Sequence, residues 1–108
     1  MQKDVVIFED SKGKQPFTEW LDSLDSAIRG RIENRVLRLY HGNYGDHKTL
    51  QSGVKELRLH FGSGYRIYFA EDGRTIVILL CGGDKGSQGS DIKRAIEYWN
   101  EYKEGKNG

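Results

Sequence analysis

The stretch Lys55-Glu-Leu-Arg-Leu-His-Phe-Gly-Ser-Gly-Tyr-Arg-Ile-Tyr-Phe69 decides the fold. Apolar and polar residues alternate on both of its arms, which is the period of a half-buried strand. On the first arm Leu57, Leu59 and Phe61 fall on one side, with Glu56, Arg58 and His60 on the other. On the second arm Tyr65, Ile67 and Phe69 oppose Arg66, Tyr68 and Ala70. A two-residue loop would mix these sides, because a one-residue slip inverts every side chain. A three-residue loop, Gly62-Ser63-Gly64, keeps like sides together and puts glycine where such loops turn left-handed. It pairs Phe61 with Tyr65, Leu59 with Ile67 and Leu57 with Phe69, and sets His60 opposite Arg66 and Arg58 opposite Tyr68. One sheet face then carries Arg58, His60, Arg66 and Tyr68. Arginines side by side repel each other, so such a face points to an anionic partner.

Upstream, Lys3 to Phe8 reads as a short strand and Asp10 to Lys14 as a loop. Pro16 opens a helix with Phe17, Trp20, Leu21 and Leu24 at helical spacing. A second helix begins near Asp25 or Ser26, both good N-caps, and buries Ile28, Ile32, Val36 and Leu39; Arg29, Arg31, Arg35 and Arg38 lie mostly off that stripe, and Gly42 and Gly45 end it. The segment Asn43 to Gly53 reads as a loop. Downstream, Asp72-Gly73 signals a two-residue turn into Arg74 to Cys81, a strand apolar on both faces and therefore central. Gly82 to Gly89 reads as a flexible loop, and Ser90 caps a last helix that buries Ile92, Ala95, Ile96 and Trp99. The expected layout is β-α-α-β-β-β-α: an α+β domain over residues 1–103, with an antiparallel meander sheet, an N-terminal helical hairpin, a C-terminal helix, and a frayed tail at 104–108. One face of the hairpin strands is expected to stay open.

The chain has 108 residues, enough for one core. Val5 to Phe8 is too short for a signal-peptide core and Ile76 to Cys81 too short for a membrane span, so a cytoplasmic protein without membrane association is expected. Cys81 is the only cysteine and follows an apolar strand, which fits an inert thiol in a reducing compartment. No Cys/His spacing resembles a zinc site, and no metal or other cofactor is expected. Gly82-Gly83 lacks the lysine and helix placement of a phosphate-binding loop and reads as a hinge. Net charge is only +1, but it is unevenly spread. Residues 29–66 hold eight Lys/Arg against three Asp/Glu, together with all three histidines, His41, His47 and His60. Local field steers an anion more than total charge does.

Six residues fall within reach of one concave face: Lys48 before the hairpin, Arg58 and His60 on its first arm, Arg66 and Tyr68 on the second, and Lys85. The loop bearing Lys85 leaves its strand at the end where the Gly62–Gly64 turn lies. Arg, Lys, His and Tyr together, without paired carboxylates or metal ligands, fit phosphodiester chemistry. RNA carries its own nucleophile, the 2′-hydroxyl, and needs an acid/base group and cations for the phosphate. His60 suits the first task, since free histidine titrates near about 6.5; Arg66 and Lys85 suit the second; Tyr68 can stack on a base. Each has a plainer reading: His60 as a surface strand residue, Arg58 paired with Glu56, Tyr68 packed under a helix.

Four segments, Gly42-Asn-Tyr-Gly-Asp-His-Lys48, Val54-Lys-Glu-Leu-Arg58, Phe61 to Phe69, and Leu80-Cys-Gly-Gly-Asp-Lys-Gly-Ser-Gln88, resemble in order and spacing the RelE/ParE toxin superfamily, most of all its HigB-like, phage-derived addiction-module branch. The resemblance implies a RelE-like fold and a toxin of a type II toxin–antitoxin system. It also implies a helix-turn-helix antitoxin partner and metal-independent, ribosome-dependent cleavage of mRNA. It places functional roles on Arg66, Lys85 and Arg58; with His60 from the residue pattern these are the expected catalytic set, and Lys48, Tyr68 and Tyr65 are the expected RNA contacts. The chain departs from RelE at Glu56, where RelE has the first of two strand lysines, and near Asp91, where RelE has a tyrosine. The alternative implied by the same superfamily is a non-catalytic, ParE-like inhibitor of DNA gyrase, and fold alone does not choose between them.

Overall fold

A computed structural model describes residues 2–107. The strands are β1 (Asp4–Ile7), β2 (His47–Thr49), β3 (Lys55–Arg58), β4 (Arg66–Asp72) and β5 (Ile76–Gly83), and the helices α1 (Pro16–Asp22), α2 (Ser26–Tyr40) and α3 (Gln88–Asn107). They build one five-stranded sheet in the order β1-β5-β4-β3-β2. Strands β2 to β5 are antiparallel neighbours, but β1 pairs parallel with β5, so the sheet is mixed rather than a pure meander. Parallel pairing follows from the path: α1 and α2 carry the chain back across the sheet before β2 begins. The expected loop at 43–53 contains a strand of its own, β2, and a short helical turn.

The helical hairpin forms as its apolar spacing dictates. Pro16 takes the first position of α1, and Ile32 and Leu39 of α2 are fully buried. Asp25 occupies the N-cap of α2, although its side chain makes no capping hydrogen bond. After α2, Gly42 turns left-handed at φ 81° and donates its N–H to the Leu39 carbonyl at 2.8 Å, a closure that suits glycine. This hairpin covers one sheet face, where Phe17, Ile32 and Leu39 pack with Leu57, Ile67, Phe69, Val77 and Leu79. Each such side chain contributes about 1.5–3 kcal/mol of apolar burial.

The other face is not open. Helix α3 lies over it and packs Ala95 and Trp99 against Tyr68, Ala70, Ile78 and Leu80. The helix begins two residues before Ser90 and continues to Asn107, through residues 104–107 of the stretch read as a frayed tail, while Gly108 lies outside the described residues. Its end is held down: Lys106 Nζ pairs with Asp72 Oδ2 at 2.6 Å and the Tyr102 hydroxyl donates to the same oxygen at 2.8 Å. No described helix is long and apolar enough to cross a membrane.

Strand β5 is an interior strand, between β1 and β4, and is buried along nearly its whole length. Its register with β4 slips between Tyr68 and Phe69, which partner Cys81 and Leu79 and leave Leu80 as the extra residue of a bulge. Both Leu80 and Cys81 thereby join the core beneath α3. The turn into β5 spans Gly73 to Thr75, one residue more than Asp72-Gly73 alone implies.

Candidate functional site

The decisive hairpin keeps the expected faces but not the expected partners. Arg58 stands opposite Arg66, Glu56 opposite Tyr68 and Leu57 opposite Ile67, a shift of two residues. The Leu59 N–H donates to the Tyr65 carbonyl at 2.9 Å, and the Gly64 N–H closes a turn onto the Phe61 carbonyl at 3.1 Å. The loop is therefore His60 to Gly64. An even shift preserves which side chains share a face, so alternation alone could not distinguish the two registers.

The new register puts a carboxylate between the two arginines. Glu56 is wholly buried; its oxygens lie 3.4 Å from Arg58 Nε and 3.5 Å from Arg66 Nε. Tyr68, also wholly buried, donates its hydroxyl to Glu56 Oε2 at 3.2 Å, and Gln88 Nε2 donates to the same oxygen at 2.8 Å. Burial, with the Glu56 charge beside it, pushes the Tyr68 phenol far above its ordinary pKa, so it remains a donor. The expectation that Tyr68 stacks on a base is corrected: it sits under α3 and holds Glu56 in place. Arg66 is largely covered and also donates to the Gly64 carbonyl at 3.0 Å.

Lys85 does reach the hairpin turn. Its N–H donates to the Ser63 carbonyl at 3.3 Å, and a side chain built on Gly64 would come within 3.5 Å of the Lys85 Cβ. The segment bearing it is not a flexible loop. The Asp84 carboxylate accepts from the N–H groups of Gly86 and Ser87, Ser87 returns the bond, and Ser63 Oγ donates to Asp84. Nor are Gly82 and Gly83 a hinge or a phosphate cradle: both lie in β5. A Cβ on Gly82 would run into the Trp20 ring, and one on Gly83 would run into Asp91 Oδ2. Each glycine makes room for a helix residue. Asp91 is buried there, bonded to Ser87 and Arg94.

His60 turns away from Arg66. Its Nε2 is hydrogen-bonded to Asp46 Oδ2, and both side chains are largely exposed. The bond to His60 is the main cause holding the Asp46 carboxyl below its usual pKa. This pair stands at a groove of about 410 Å³ between α2 and the hairpin loop, lined by Arg31, Arg35, Arg38, Arg58, Asp46 and His60, with Phe61 and Leu59 as its apolar part. Arg66 and Lys85 are not among its lining residues. The four residues expected to form one pocket thus divide around Arg58: His60 lies on the α2 side, Arg66 and Lys85 on the β4 side. Lys48, opposite Glu56 on the edge strand β2, is exposed. Tyr65 is half-buried, its ring 5.2 Å from that of Phe61.

Sequence reasoning does not single out the α2 arginines or Asp46 as site residues. The available signal is spacing: positions 31, 35 and 38 share one helical face. Arg35 is wedged beneath Gly45, where any Cβ would lie 2.7 Å from its guanidinium, and its Nη2 donates to the Arg58 carbonyl at 3.4 Å. Burial, and then the charge of Arg38, make Arg35 hold its proton less tightly than a free guanidinium. Chemically, the groove combines fixed positive charge with an oriented imidazole.

Comparison with known proteins completes the site's context. Residues 19–98 match the family described as "Phage derived protein Gp49-like (DUF891)". A Haemophilus influenzae protein described as "Uncharacterized protein" is 45% identical over 80 residues, covering 73% of this chain and 81% of that protein. Among solved structures, the toxin–antitoxin complex RelBE2 from Mycobacterium tuberculosis superposes with a TM-score of 0.59 at 18% identity, covering 79% of this chain and 100% of the matched one. A mutant of the E. coli toxin RelE in the free state gives the same score and identity over 94% of each chain. At that identity the likeness is one of fold, and it makes the α+β architecture RelE-like.

Proposed function

Because the chain belongs to the phage-derived Gp49-like protein family, we propose that it is the toxin of a type II toxin–antitoxin pair, in the HigB-like branch of the RelE/ParE superfamily, and an endonuclease of ribosome-bound mRNA. The two solved relatives named above are toxins, one of them in complex with its antitoxin, and the fold supports the same role here. The observation that carries the nuclease reading is His60, bonded through Nε2 to Asp46 at an arginine-lined groove.

In this reading Asp46 orients the imidazole, and Nδ1, the ring nitrogen it does not engage, accepts the 2′-hydroxyl proton of the message. The P–O2′ bond forms as the P–O5′ bond breaks, and the proton passes from His60 to the departing 5′-oxygen. The products are a 2′,3′-cyclic phosphate and a 5′-hydroxyl. Arg58, which lines the groove with His60, supplies positive charge to the phosphate in transit, and Lys85, on the β4 side of Arg58, grips the strand beyond it. Arg66, mostly covered, acts with Glu56 to fix Arg58. Lys48 and Tyr65 contact the strand at the margins. The partner is a helix-turn-helix antitoxin, and the site of action is the cytoplasmic ribosome.

Induction in cells, followed by primer extension on ribosome-bound messages, tests this. New 5′ ends with the wild-type chain, and none with Arg66→Ala or Lys85→Ala, are expected. Equal toxicity of those variants overturns the site. Inhibited DNA supercoiling with intact messages replaces the nuclease by a ParE-like inhibitor of gyrase.

A further inference from the structure

The groove has a flat wall as well as charge. The guanidinium of Arg31 lies over the Phe61 ring, its Cζ 3.7 Å from the ring centroid. Phe61 cannot swing aside freely, because Tyr65 packs against it and both belong to the half-buried fringe of the core. Arg31 is exposed, so one face of its guanidinium meets Phe61 and the other meets solvent. Among the described residues neither Arg31, Arg35 nor Arg38 is in a salt bridge, whereas Arg58 is tied to Glu56. Arg31 and Arg38 thus stand without a salt bridge on one helix face beside a stacked plane, while the charge of Asp46 partly offsets that of Arg35 between them.

We infer that the Arg31–Phe61 stack is a platform for an unpaired nucleobase, with Arg38 drawing a flanking phosphate, so that the α2 groove binds a single RNA strand. This rests on the RNA reading above and locates where the strand lies. The chemistry favours a nucleotide over an acidic peptide. Carboxylates need only charge, and would leave the plane of Arg31 unused; a base uses both plane and charge. A duplex does not fit, since its bases already stack on each other.

The test is fluorescence anisotropy with the full chain and a short labelled 2′-O-methyl RNA, which has no free 2′-hydroxyl to attack. The same oligomer with abasic sugars and an oligoglutamate peptide serve as comparisons. The RNA is expected to bind more tightly than its abasic counterpart. Arg31→Lys keeps the charge and loses the plane, so it should weaken RNA binding about tenfold while leaving abasic binding nearly unchanged. Arg38→Ala should weaken both alike. Phe61→Leu should resemble Arg31→Lys; if circular dichroism shows that it does not fold, Arg31→Lys decides. Equal binding of RNA and abasic RNA, an unaffected Arg31→Lys variant, or oligoglutamate competing as well as RNA overturns the inference. The assay uses neither ribosomes nor cleavage. Failure here with message cleavage intact removes the platform and leaves the nuclease; binding without cleavage does the reverse.

Discussion

Glu56 and Tyr68 stand opposite each other on β3 and β4, and the Tyr68 hydroxyl donates to Glu56 Oε2 at 3.2 Å in a space closed by α3. This contact organises the polar half of the hairpin. Arg58 and Arg66 are cross-strand neighbours of like charge, and the buried carboxylate between them lets them stay side by side. Glu56→Ala removes it and leaves both cations without a counter-ion. Breaking a buried ion pair by deleting one partner costs about 3–5 kcal/mol. A loss of that size in urea denaturation is expected; a loss within experimental error of zero would show that the arginines find other partners.

The two glycines ending β5 are spacers rather than hinges. Gly83→Ala drives a methyl into Asp91 Oδ2 and should destabilise by about 1–3 kcal/mol or more. A methyl group added at Gly30, inside α2, would meet nothing within 4 Å. Gly30→Ala should therefore stabilise by about 0.5–1 kcal/mol. Urea midpoints moving in opposite directions confirm both; a shift in the same direction contradicts them.

Asp72 ties the end of α3 to the sheet through Lys106 and Tyr102, and these bonds hold its carboxyl below the ordinary range. A depressed folded pKa stabilises above the unfolded value of 3.8, and that stabilisation is lost as pH falls through the folded value. Asp72→Asn should thus be less stable than wild type at neutral pH, with the difference shrinking in acid as pH falls below 3.8 and the carboxylate protonates. Chemical denaturation at neutral pH and in acid measures it. A difference that persists in acid would mean the carboxylate's charge is not the cause.

Burial pushes the Cys81 thiol up to about 12, and the sulfur leans on the Asp91 carbonyl. The native chain should resist iodoacetamide at mildly alkaline pH and react only as denaturant unfolds it, as a structural thiol does. Rapid labelling of the native protein would place the sulfur at the surface.

Much of this is legible in the residues. The alternation of Leu57, Leu59, Ile67 and Phe69 marks one apolar face, and Ile32 and Leu39 mark the helix that covers it. The rest is hidden for physical reasons. A two-residue register shift leaves every side chain on its own face, so no pattern can report it. A strand as short as β1, Asp4–Ile7, carries no mark of parallel pairing. Glu56, Arg66 and Tyr68 read as a solvated face because polar residues usually are solvated; here their mutual pairing lets α3 close over them. Asp46 and the arginines of α2 lie far from the hairpin in sequence, and only the fold brings them to His60.

The central claim is that His60, oriented by Asp46, moves the proton in RNA cleavage. The most direct measurement is the cleavage rate of a message on programmed ribosomes by wild type and by a folded His60→Ala variant. Loss of a positioned acid/base group slows such reactions by about 10²–10⁴-fold, and a drop in that range is expected. Cleavage by His60→Ala at the wild-type rate would contradict the claim.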